Sequence, residues 1–197
     1  MKGHTLRSKI YFKTAVVLSL FVFNNIVSAD SPSKVENFSL KDYNEKIYKL
    51  NDFKNSKAIV IMFIATQCPV SNGYNTRMAK LYDDYKSKGV TFLGINSNKQ
   101  ETVEEIKNHA KEQNLNFIIL KDLNNVIADK FGASVTPEIF VLNNQYEILY
   151  HGRIDDSRRE NDVKRNDLRI ALDEILAGKK VSEPVSKAFG CSIKRVN

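Results

Sequence analysis

Cys68 is the residue whose type and position most clearly suggest chemistry in this sequence. It follows the apolar run 58–64, and Pro69 comes directly after it. A thiol at the junction of a strand and a helix lies beside unpaired backbone N–H groups and the positive end of the helix dipole, which favour the thiolate. Pro69 suits the first helical position because proline lacks an N–H and has a preset φ. The pattern predicts a nucleophilic Cys68 with a pKa below the ~8.5 of a free cysteine, whereas the alternative is an inert buried thiol.

The second cysteine, Cys191, lies near the C-terminus between the apolar residues Phe189 and Ile193, which could dock this tail on the rest of the molecule. Gly190 would allow the backbone torsions needed to aim a tail sulfur inward. If Cys68 forms a mixed disulfide or a sulfenic acid, Cys191 is the other thiol of the chain that could resolve it. A bridge between the two requires Cα atoms within about 7 Å. A bridge between two chains and a packed free thiol are the open alternatives.

The remaining residue types give little support to metal chemistry. Two cysteines are too few for a disulfide-rich scaffold, and the sequence has no Cys/His cluster at the spacing of a zinc site. Copper binding is disfavoured because no second cysteine lies within a turn of Cys68 to complete a chelate. We therefore predict no metal site and no cofactor, so that the reactive groups are the thiols themselves.

The elements that must position Cys68 alternate between strands and helices. Strands are predicted at 58–64, 90–96 and 117–120, and segments of helical periodicity follow the first two. Such alternation implies a parallel sheet with crossover helices. Further predicted elements are hairpins at 37–50 and 138–150 and helices that end near 89 or span 102–113, 123–131 and 163–176. The pattern predicts one α/β domain.

Motifs at matching points of this order resemble those of the thioredoxin superfamily, specifically its redoxin or peroxiredoxin-like branch. Residues 63–71, Phe-Ile-Ala-Thr-Gln-Cys-Pro-Val-Ser, resemble the Phe-x-Ala-x-x-Cys-Pro-x-Cys active-site turn of exported thiol-disulfide oxidoreductases. Residues 135–137, Val-Thr-Pro, resemble the cis-proline loop, and 150–155 and 190–194 are similar to segments of peroxiredoxin-like proteins. The resemblance covers about 38–194. It implies a thioredoxin-like three-layer sandwich with a mixed central sheet and an N-terminal β-hairpin extension.

The resemblance also implies which residues form a site around Cys68. The cis-proline loop would face the thiol, and its backbone would pair with an extended polypeptide before disulfide exchange. The residues expected to meet substrate are Thr66, Gln67, Pro69, Thr136 and Pro137.

The second hairpin would bring two further side chains back toward Cys68. Arg153 is a candidate cation for the thiolate, with a salt bridge to Asp155 or Asp156 as the alternative. His151 is a candidate proton donor, although a lone histidine is more often an ordinary surface or core residue.

Two positions depart from the family patterns. Ser71 stands where a thioredoxin-type motif has its second cysteine, so a dithiol within one turn is absent. Ala65 stands where peroxiredoxins have a threonine that helps to bind peroxide. We therefore predict that peroxide reacts slowly compared with a dedicated peroxidase, while disulfide exchange proceeds.

The first 29 residues have the features of a secretory signal. Basic residues precede the apolar run 15–23, which is shorter than the roughly 20 residues that span a bilayer, and small residues precede a cut that we place after Ala29. An uncleaved membrane anchor is the alternative. The predicted layout is a signal peptide at 1–29, a thioredoxin-like domain at 30–180 and a tail at 181–197 that carries Cys191. The product is expected in a periplasm or outside the cell, without stable membrane insertion.

The net charge argues against nucleic acid as a partner. Removal of the leader lowers Lys+Arg from 30 to 26 against 23 Asp+Glu, so the net charge falls from +7 to +3. A charge this small, with basic and acidic residues interleaved near the C-terminus, indicates a solvated mixed surface.

These features together predict an exported thiol-disulfide oxidoreductase or a weak thiol peroxidase, with Cys68 as nucleophile and Cys191 as the candidate resolving thiol. Its partners would be a thiol or disulfide protein, or a small peroxide, and a separate electron donor. The competing hypothesis is a non-enzymatic binding or redox-sensor module in which both cysteines are structural or regulatory. An exposed, acidic Cys68 would favour catalysis, and a buried bridge resistant to reductant would favour a structural role.

Overall fold

The computed structural model describes residues 1, 3 and 33–196. The predicted leader therefore lies outside the described residues, apart from residues 1 and 3, and so does the cleavage point after Ala29. Within the described part, no helix combines the length and apolar character needed to cross a membrane. The same residues contain no group of three or more His, Cys, Asp or Glu side chains that could hold a metal ion.

The described residues form nine strands and five α-helices, with short 3-10 turns between them. The strands are β1 (Ser39–Asp42), β2 (Ile47–Lys49), β3 (Ala58–Phe63), β4 (Val90–Asn96), β5 (Ile118–Lys121), β6 (Val135–Thr136), β7 (Glu138–Leu142), β8 (Ile148–Gly152) and β9 (Cys191–Ser192). The helices are α1 (Pro69–Asn72), α2 (Asn75–Tyr85), α3 (Val103–Glu112), α4 (Val126–Phe131) and α5 (Asp167–Leu176).

Strand β3 lies inside a seven-stranded sheet with the order β2-β1-β5-β4-β3-β7-β8. It runs parallel to β4 and antiparallel to β7, and all six of its residues are buried. A strand covered on both faces carries apolar side chains at every position, which explains its unbroken apolar run. The hairpin β1–β2 adds to the sheet through antiparallel pairing of β1 with β5. The mixed α/β sheet and its N-terminal hairpin extension are thus confirmed.

Two hydrophobic clusters cover the opposite faces of this sheet. Val60 and Met62 of β3 join a cluster with residues of α2, α3 and α5, whereas Ile61 and Phe63 join a cluster with residues of α4. This division follows from the alternation of side chains along a strand. The sheet lies between two helical layers, so the predicted three-layer sandwich is confirmed.

The helical segment that follows Cys68 is divided into two pieces. Helix α1 ends at Asn72 and α2 begins at Asn75, with Gly73 and Tyr74 between them. The break directs the Tyr74 side chain into the core, where it is 1% exposed and its hydroxyl donates to Asp155 Oδ1 at 3.1 Å. The predicted strand–turn–helix unit is therefore present, with an interruption that helical periodicity does not indicate.

Two other predicted helices begin later than their patterns suggest. The helix predicted at 163–176 begins at Asp167, because the backbone N–H groups of residues 164 and 165 donate to Asp156 Oδ1 instead of continuing a helical turn. The helix predicted at 123–131 is regular only from Val126, because residues 124 and 125 have positive φ.

Candidate active site

Cys68 occupies the N-cap position of α1, a short distance after β3 ends. Its backbone is extended, and its Sγ accepts the N–H of Ser71 at 3.3 Å. Pro69 is the first helical residue, as predicted. The Cys68 side chain is 4% exposed. The Ser71 N–H would stabilise negative charge on this sulfur whenever it is released as a thiolate.

The cis-proline loop lies against Cys68. The Thr136–Pro137 peptide bond is cis, as the resemblance predicts, and it joins β6 to β7. The backbone oxygen of Thr136 lies 3.3 Å from Cys68 Sγ. Residues separated by 68 positions in the sequence are thus brought into contact at the sulfur.

The structure joins Cys68 to Cys191 in an intramolecular disulfide. Their Cα atoms are 5.9 Å apart and their sequence separation is 123 residues. The Cα distance satisfies the predicted limit of about 7 Å. Cys191 is partly exposed, whereas Cys68 is buried beneath it. Of the alternatives left open by the sequence, the structure selects the bridge within one chain.

The tail reaches Cys68 as an added strand. Strand β9 pairs antiparallel with β6, so that Cys191 lies opposite Thr136. The pairing continues with a hydrogen bond from Ile193 N to Ser134 O at 2.9 Å. A Cβ at Gly190 would lie 2.0 Å from Thr136 O, so this close approach requires glycine. The tail occupies the backbone edge at which the sequence predicts an extended polypeptide.

Glu101 is a buried carboxylate that fixes the loop before Cys68. It is 1% exposed, and its two oxygens accept the backbone N–H groups of Thr66 at 2.7 Å and Gln67 at 3.1 Å. They also accept the side-chain amides of Asn96 and Asn98. The available sequence signal is the polar run after β4, because polar residues at the end of a buried strand often form a site.

Several polar atoms around the cysteine pair have no hydrogen-bond partner among the described residues. They include Thr66 Oγ1, Asn72 Oδ1 and Thr136 Oγ1. Residues directly opposite each other on antiparallel strands project to the same face, so the Thr136 hydroxyl lies on the face of Cys191. Buried polar atoms normally have partners, so these three atoms are exceptions within the described residues.

The buried Glu138, at the start of β7, is paired with the partly exposed His151 of β8. Glu138 Oε2 accepts the N–H groups of Ser134 at 2.7 Å and Val135 at 3.1 Å. His151 Nε2 lies 2.7 Å from Glu138 Oε1, and its ring stacks on Phe140 at 4.1 Å. His151, the candidate proton donor, thus contacts the carboxylate that positions β6.

The Glu138 carboxylate is expected to make stability depend on pH in acid. Burial raises the pKa of Glu138, but the hydrogen bonds from His151 and from two backbone N–H groups hold it below its ordinary value of 4.5. A carboxyl whose pKa is lowered by folding stabilises the protein above its unfolded pKa, and this stability is lost as the pH falls through the folded pKa. Thermal unfolding of Glu138→Gln should therefore show a smaller drop in Tm than the wild type below about pH 4.5.

The exposed Glu112 provides the control for this measurement. Glu112→Gln removes a carboxyl of the same type and should retain the wild-type dependence on pH. Parallel Tm curves for Glu138→Gln and the wild type would contradict the assignment.

Arg153 forms a salt bridge, as the alternative prediction states, but with a different partner. Its Nε lies 2.8 Å from Oδ2 of the buried Asp167. Asp155 instead binds Arg77 Nη1 at 2.7 Å, and Asp156 accepts backbone N–H groups. The prediction that Arg153 pairs with Asp155 or Asp156 is therefore wrong, because both carboxylates already bind other groups. Its role toward a Cys68 thiolate stays a prediction.

Three comparisons with known proteins agree on the fold around Cys68. SMc02350 from Sinorhizobium meliloti 1021 has a similar structure, with a TM-score of 0.80 and 33% identity, covering 86% of this chain and 96% of that one. The thioredoxin domain of the thiol-disulfide oxidoreductase BVU-2223 from Bacteroides vulgatus shares the fold, with a TM-score of 0.54 and 20% identity, over 63% of this chain and 89% of that domain. The thiol-disulfide oxidoreductase ResA of Bacillus subtilis (strain 168) is 25% identical over 153 residues, 73% of this chain and 84% of ResA.

The family comparison covers Cys68, Glu101 and the cis-proline loop. Residues 32–156 match the model of the AhpC/TSA family, and the match ends before α5 and the tail with Cys191. Because this match spans more than half of the sequence, the chain belongs to the AhpC/TSA family, a redoxin family of the thioredoxin superfamily.

Proposed function

We propose that the protein is a thiol oxidoreductase in which Cys68 is the nucleophile and Cys191 the resolving thiol. The observation that carries this proposal is the disulfide between them, formed beside the cis-proline loop with Cys68 Sγ accepting the Ser71 N–H. The name thiol-disulfide oxidoreductase, which ResA carries, supports the same chemistry. Thr66, Gln67, Pro69, Thr136 and Pro137 are the proposed substrate-contacting residues.

In the oxidative half-reaction, the Cys68 thiolate attacks one sulfur of a substrate disulfide and releases the other as a thiolate. The Cys191 thiol then attacks Cys68 Sγ, forms the intramolecular bridge and releases the second substrate thiolate and a proton. With a hydroperoxide, Cys68 becomes a sulfenic acid and an alcohol leaves, after which attack by Cys191 releases water. In both cases two protein thiols are oxidised and one substrate bond is reduced.

In the reductive half-reaction, a donor thiolate attacks Cys191 because Cys191 is the more exposed residue of the two. The Cys68 thiolate leaves, and the Ser71 N–H stabilises it. A second donor thiol then attacks the donor sulfur of the mixed disulfide and frees Cys191. Two donor thiols are thereby converted to one disulfide, so the cycle needs a separate electron donor.

We also propose that the protein acts outside the cytoplasm, with the layout 1–29 leader, 30–180 domain and 181–197 tail. Support comes from the signal-like sequence before Ala29. The disulfide is consistent with this location, because such bonds persist in oxidising compartments.

Thiol titration of the reduced mature protein and of its cysteine variants tests the function. Cys68 should titrate below the ~8.5 of a free cysteine. Cys68→Ser should abolish reaction with oxidised glutathione, whereas Cys191→Ser should stop at a mixed disulfide on Cys68. A Cys68 pKa of about 9 or more, or equal activity of Cys68→Ser and wild type, would refute the proposal.

A static structural bridge is the competing function, and the low exposure of Cys68 favours it. A redox titration against glutathione separates the two. A catalytic bridge should open and close reversibly, whereas a structural one should resist reduction.

In stopped-flow measurements the reduced protein should react more slowly with hydrogen peroxide than a dedicated peroxidase does, because Ala65 carries no hydroxyl. Rapid peroxide consumption would overturn that ordering.

A further inference from the structure

Residues 190–196, the docked tail, are held by hydrogen bonds that do not involve the disulfide. Ile193 is 6% exposed and packs in the core cluster that contains α4 residues. The anchoring bonds are Ile193 N to Ser134 O (2.9 Å), Lys99 N to Lys194 O (2.9 Å), Lys194 N to Asn98 Oδ1 (2.7 Å), Val196 N to Asn125 Oδ1 (2.7 Å), Arg195 Nε to Asp129 Oδ1 (2.8 Å) and Arg195 Nη2 to Ala133 O (2.6 Å). Opening the S–S bond breaks none of them.

The docked tail uses backbone groups on both of its sides. One side pairs with β6 and Ser134, and the other meets Asn98 and Lys99. An exposed strand edge is a template for an incoming polypeptide, because its unpaired N–H and C=O groups form the same hydrogen bonds with any extended chain. At β6 this edge is already paired with the tail.

A small disulfide can react with Cys68 by thiol exchange without pairing to the backbone of β6. The hydroxyl oxygens of Thr66 and Thr136 are buried and lack partners among the described residues. Cys191 is the partly exposed residue of the pair. Access therefore runs beside Cys191 and does not follow the β6 edge.

We infer that the docked tail stays in place when Cys68 and Cys191 are reduced. It thereby excludes extended polypeptide disulfides from β6, so that the disulfides that oxidise Cys68 are of low molecular weight. The inference rests on the proposed function and narrows its substrate. The Cys68 thiolate attacks one sulfur of the small disulfide and releases one thiolate. Attack of Cys191 on Cys68 Sγ then releases the second thiolate and a proton, so the small disulfide is reduced to two thiols.

Hydrogen exchange of the reduced full chain tests whether the tail stays docked. The amides of Ile193, Lys194 and Lys99 should exchange at least about tenfold more slowly than unprotected amides. Each of these N–H groups donates a hydrogen bond between the docked tail and the rest of the protein. Exchange of these amides at unprotected rates after reduction would overturn the inference.

Substrate exclusion is tested in the Cys191→Ser background, where Cys68 reacts without a resolving step. The probes are oxidised glutathione and a disulfide-linked pair of extended peptides about 12 residues long, both of which react by the same thiol exchange. The Cys191→Ser protein should react at least about tenfold faster with oxidised glutathione than with the peptides. Equal rates with the two probes would overturn the inference.

Undocking the tail should remove this discrimination. Addition of Ile193→Asp and Arg195→Ala to Cys191→Ser should raise the rate with the peptides about tenfold and change the rate with oxidised glutathione by less than about threefold. Addition of Lys187→Ala to Cys191→Ser removes a positive charge, as Arg195→Ala does, at an exposed position before the docked tail, and it should change neither rate. Persistent exclusion of the peptides from a folded, undocked variant would overturn the inference. If that variant does not fold, the exchange rates and the comparison of the two probes decide the question.

The two proposals fail in different ways. A Cys68 that reacts with neither probe in any folded variant contradicts the proposed function. A Cys68 that reacts equally with both probes leaves that function intact and contradicts only the restriction to small disulfides.

Discussion

Replacement of Cys191 by serine is expected to lower the free energy of unfolding by about 4 kcal/mol under oxidising conditions. The bridge closes a segment of 123 residues, and a cross-link removes more conformational freedom from the unfolded chain as the closed loop grows longer. Serine is close to cysteine in size, so the variant loses the covalent link with little change in packing. Urea unfolding of the oxidised wild type and of Cys191→Ser gives the difference directly.

The same free-energy loss should follow from any change that opens the bridge. Cys68→Ser should cost a similar amount, and the double replacement should cost no more than either single one, because a single bond is removed in all three. Added reductant should bring the wild type to the same stability. Ser192→Ala, at an exposed neighbour in β9, is the matched control and should remain near the oxidised wild type. Unchanged stability in oxidised Cys191→Ser would mean that the bridge is not formed in solution.

Glu101→Gln is expected to lower the free energy of unfolding by about 3 kcal/mol and to slow the reaction of Cys68. Each carboxylate oxygen accepts two donors, a backbone N–H of the loop before Cys68 and an asparagine side chain. A glutamine side chain keeps one oxygen, which can still accept two of the four donors. Its NH₂ group replaces the other oxygen and faces the remaining two donors. Two buried donors then lose their acceptor, and the loop that carries Thr66 and Gln67 loses its anchor.

Two measurements separate the loop-positioning role of Glu101 from a general loss of stability. Urea unfolding gives the stability change, and the alkylation rate of the reduced Cys68 thiol is then measured where the variant is fully folded. Glu104→Gln makes the same chemical change on the exposed side of α3 and should alter neither quantity. If Glu101→Gln unfolds like the wild type and its Cys68 is alkylated at the same rate, Glu101 does not position the loop.

The family match includes Cys68 but does not extend to Cys191. Cys68 and the cis-proline loop lie within the matched residues 32–156, whereas Cys191 lies 35 positions beyond their end. The chemistry proposed for Cys68 therefore draws on features within the matched region. The resolving role of Cys191 and the restriction to small disulfides depend on the tail alone, and they are tested separately for that reason.

Local patterns were sufficient to predict the sheet and the position of Cys68. The unbroken apolar run of β3 indicates a strand buried on both faces, and Pro69 indicates where the next helix begins. The cis-proline loop at Thr136–Pro137 was implied only by the resemblance of residues 135–137 to the motif of the thioredoxin superfamily. The strand and the helix start have a different basis. These features are determined by residues a few positions apart, whose periodicity and torsional preferences are visible in the sequence.

Tertiary structure alone decided the partners of the charged side chains and the pairing of the tail. Arg153 could have met any of several carboxylates, and only the packing of α5 against the sheet brings Asp167 to it. Glu101 likewise acquires its role by accepting N–H groups from a loop 34 and 35 positions earlier, which the folded chain brings beside it. The register that places Cys191 opposite Thr136 depends on the docking of Ile193 and on the close approach allowed by Gly190. These contacts join residues 14 or more positions apart, so their partners follow from how whole elements pack and are not encoded in any short segment.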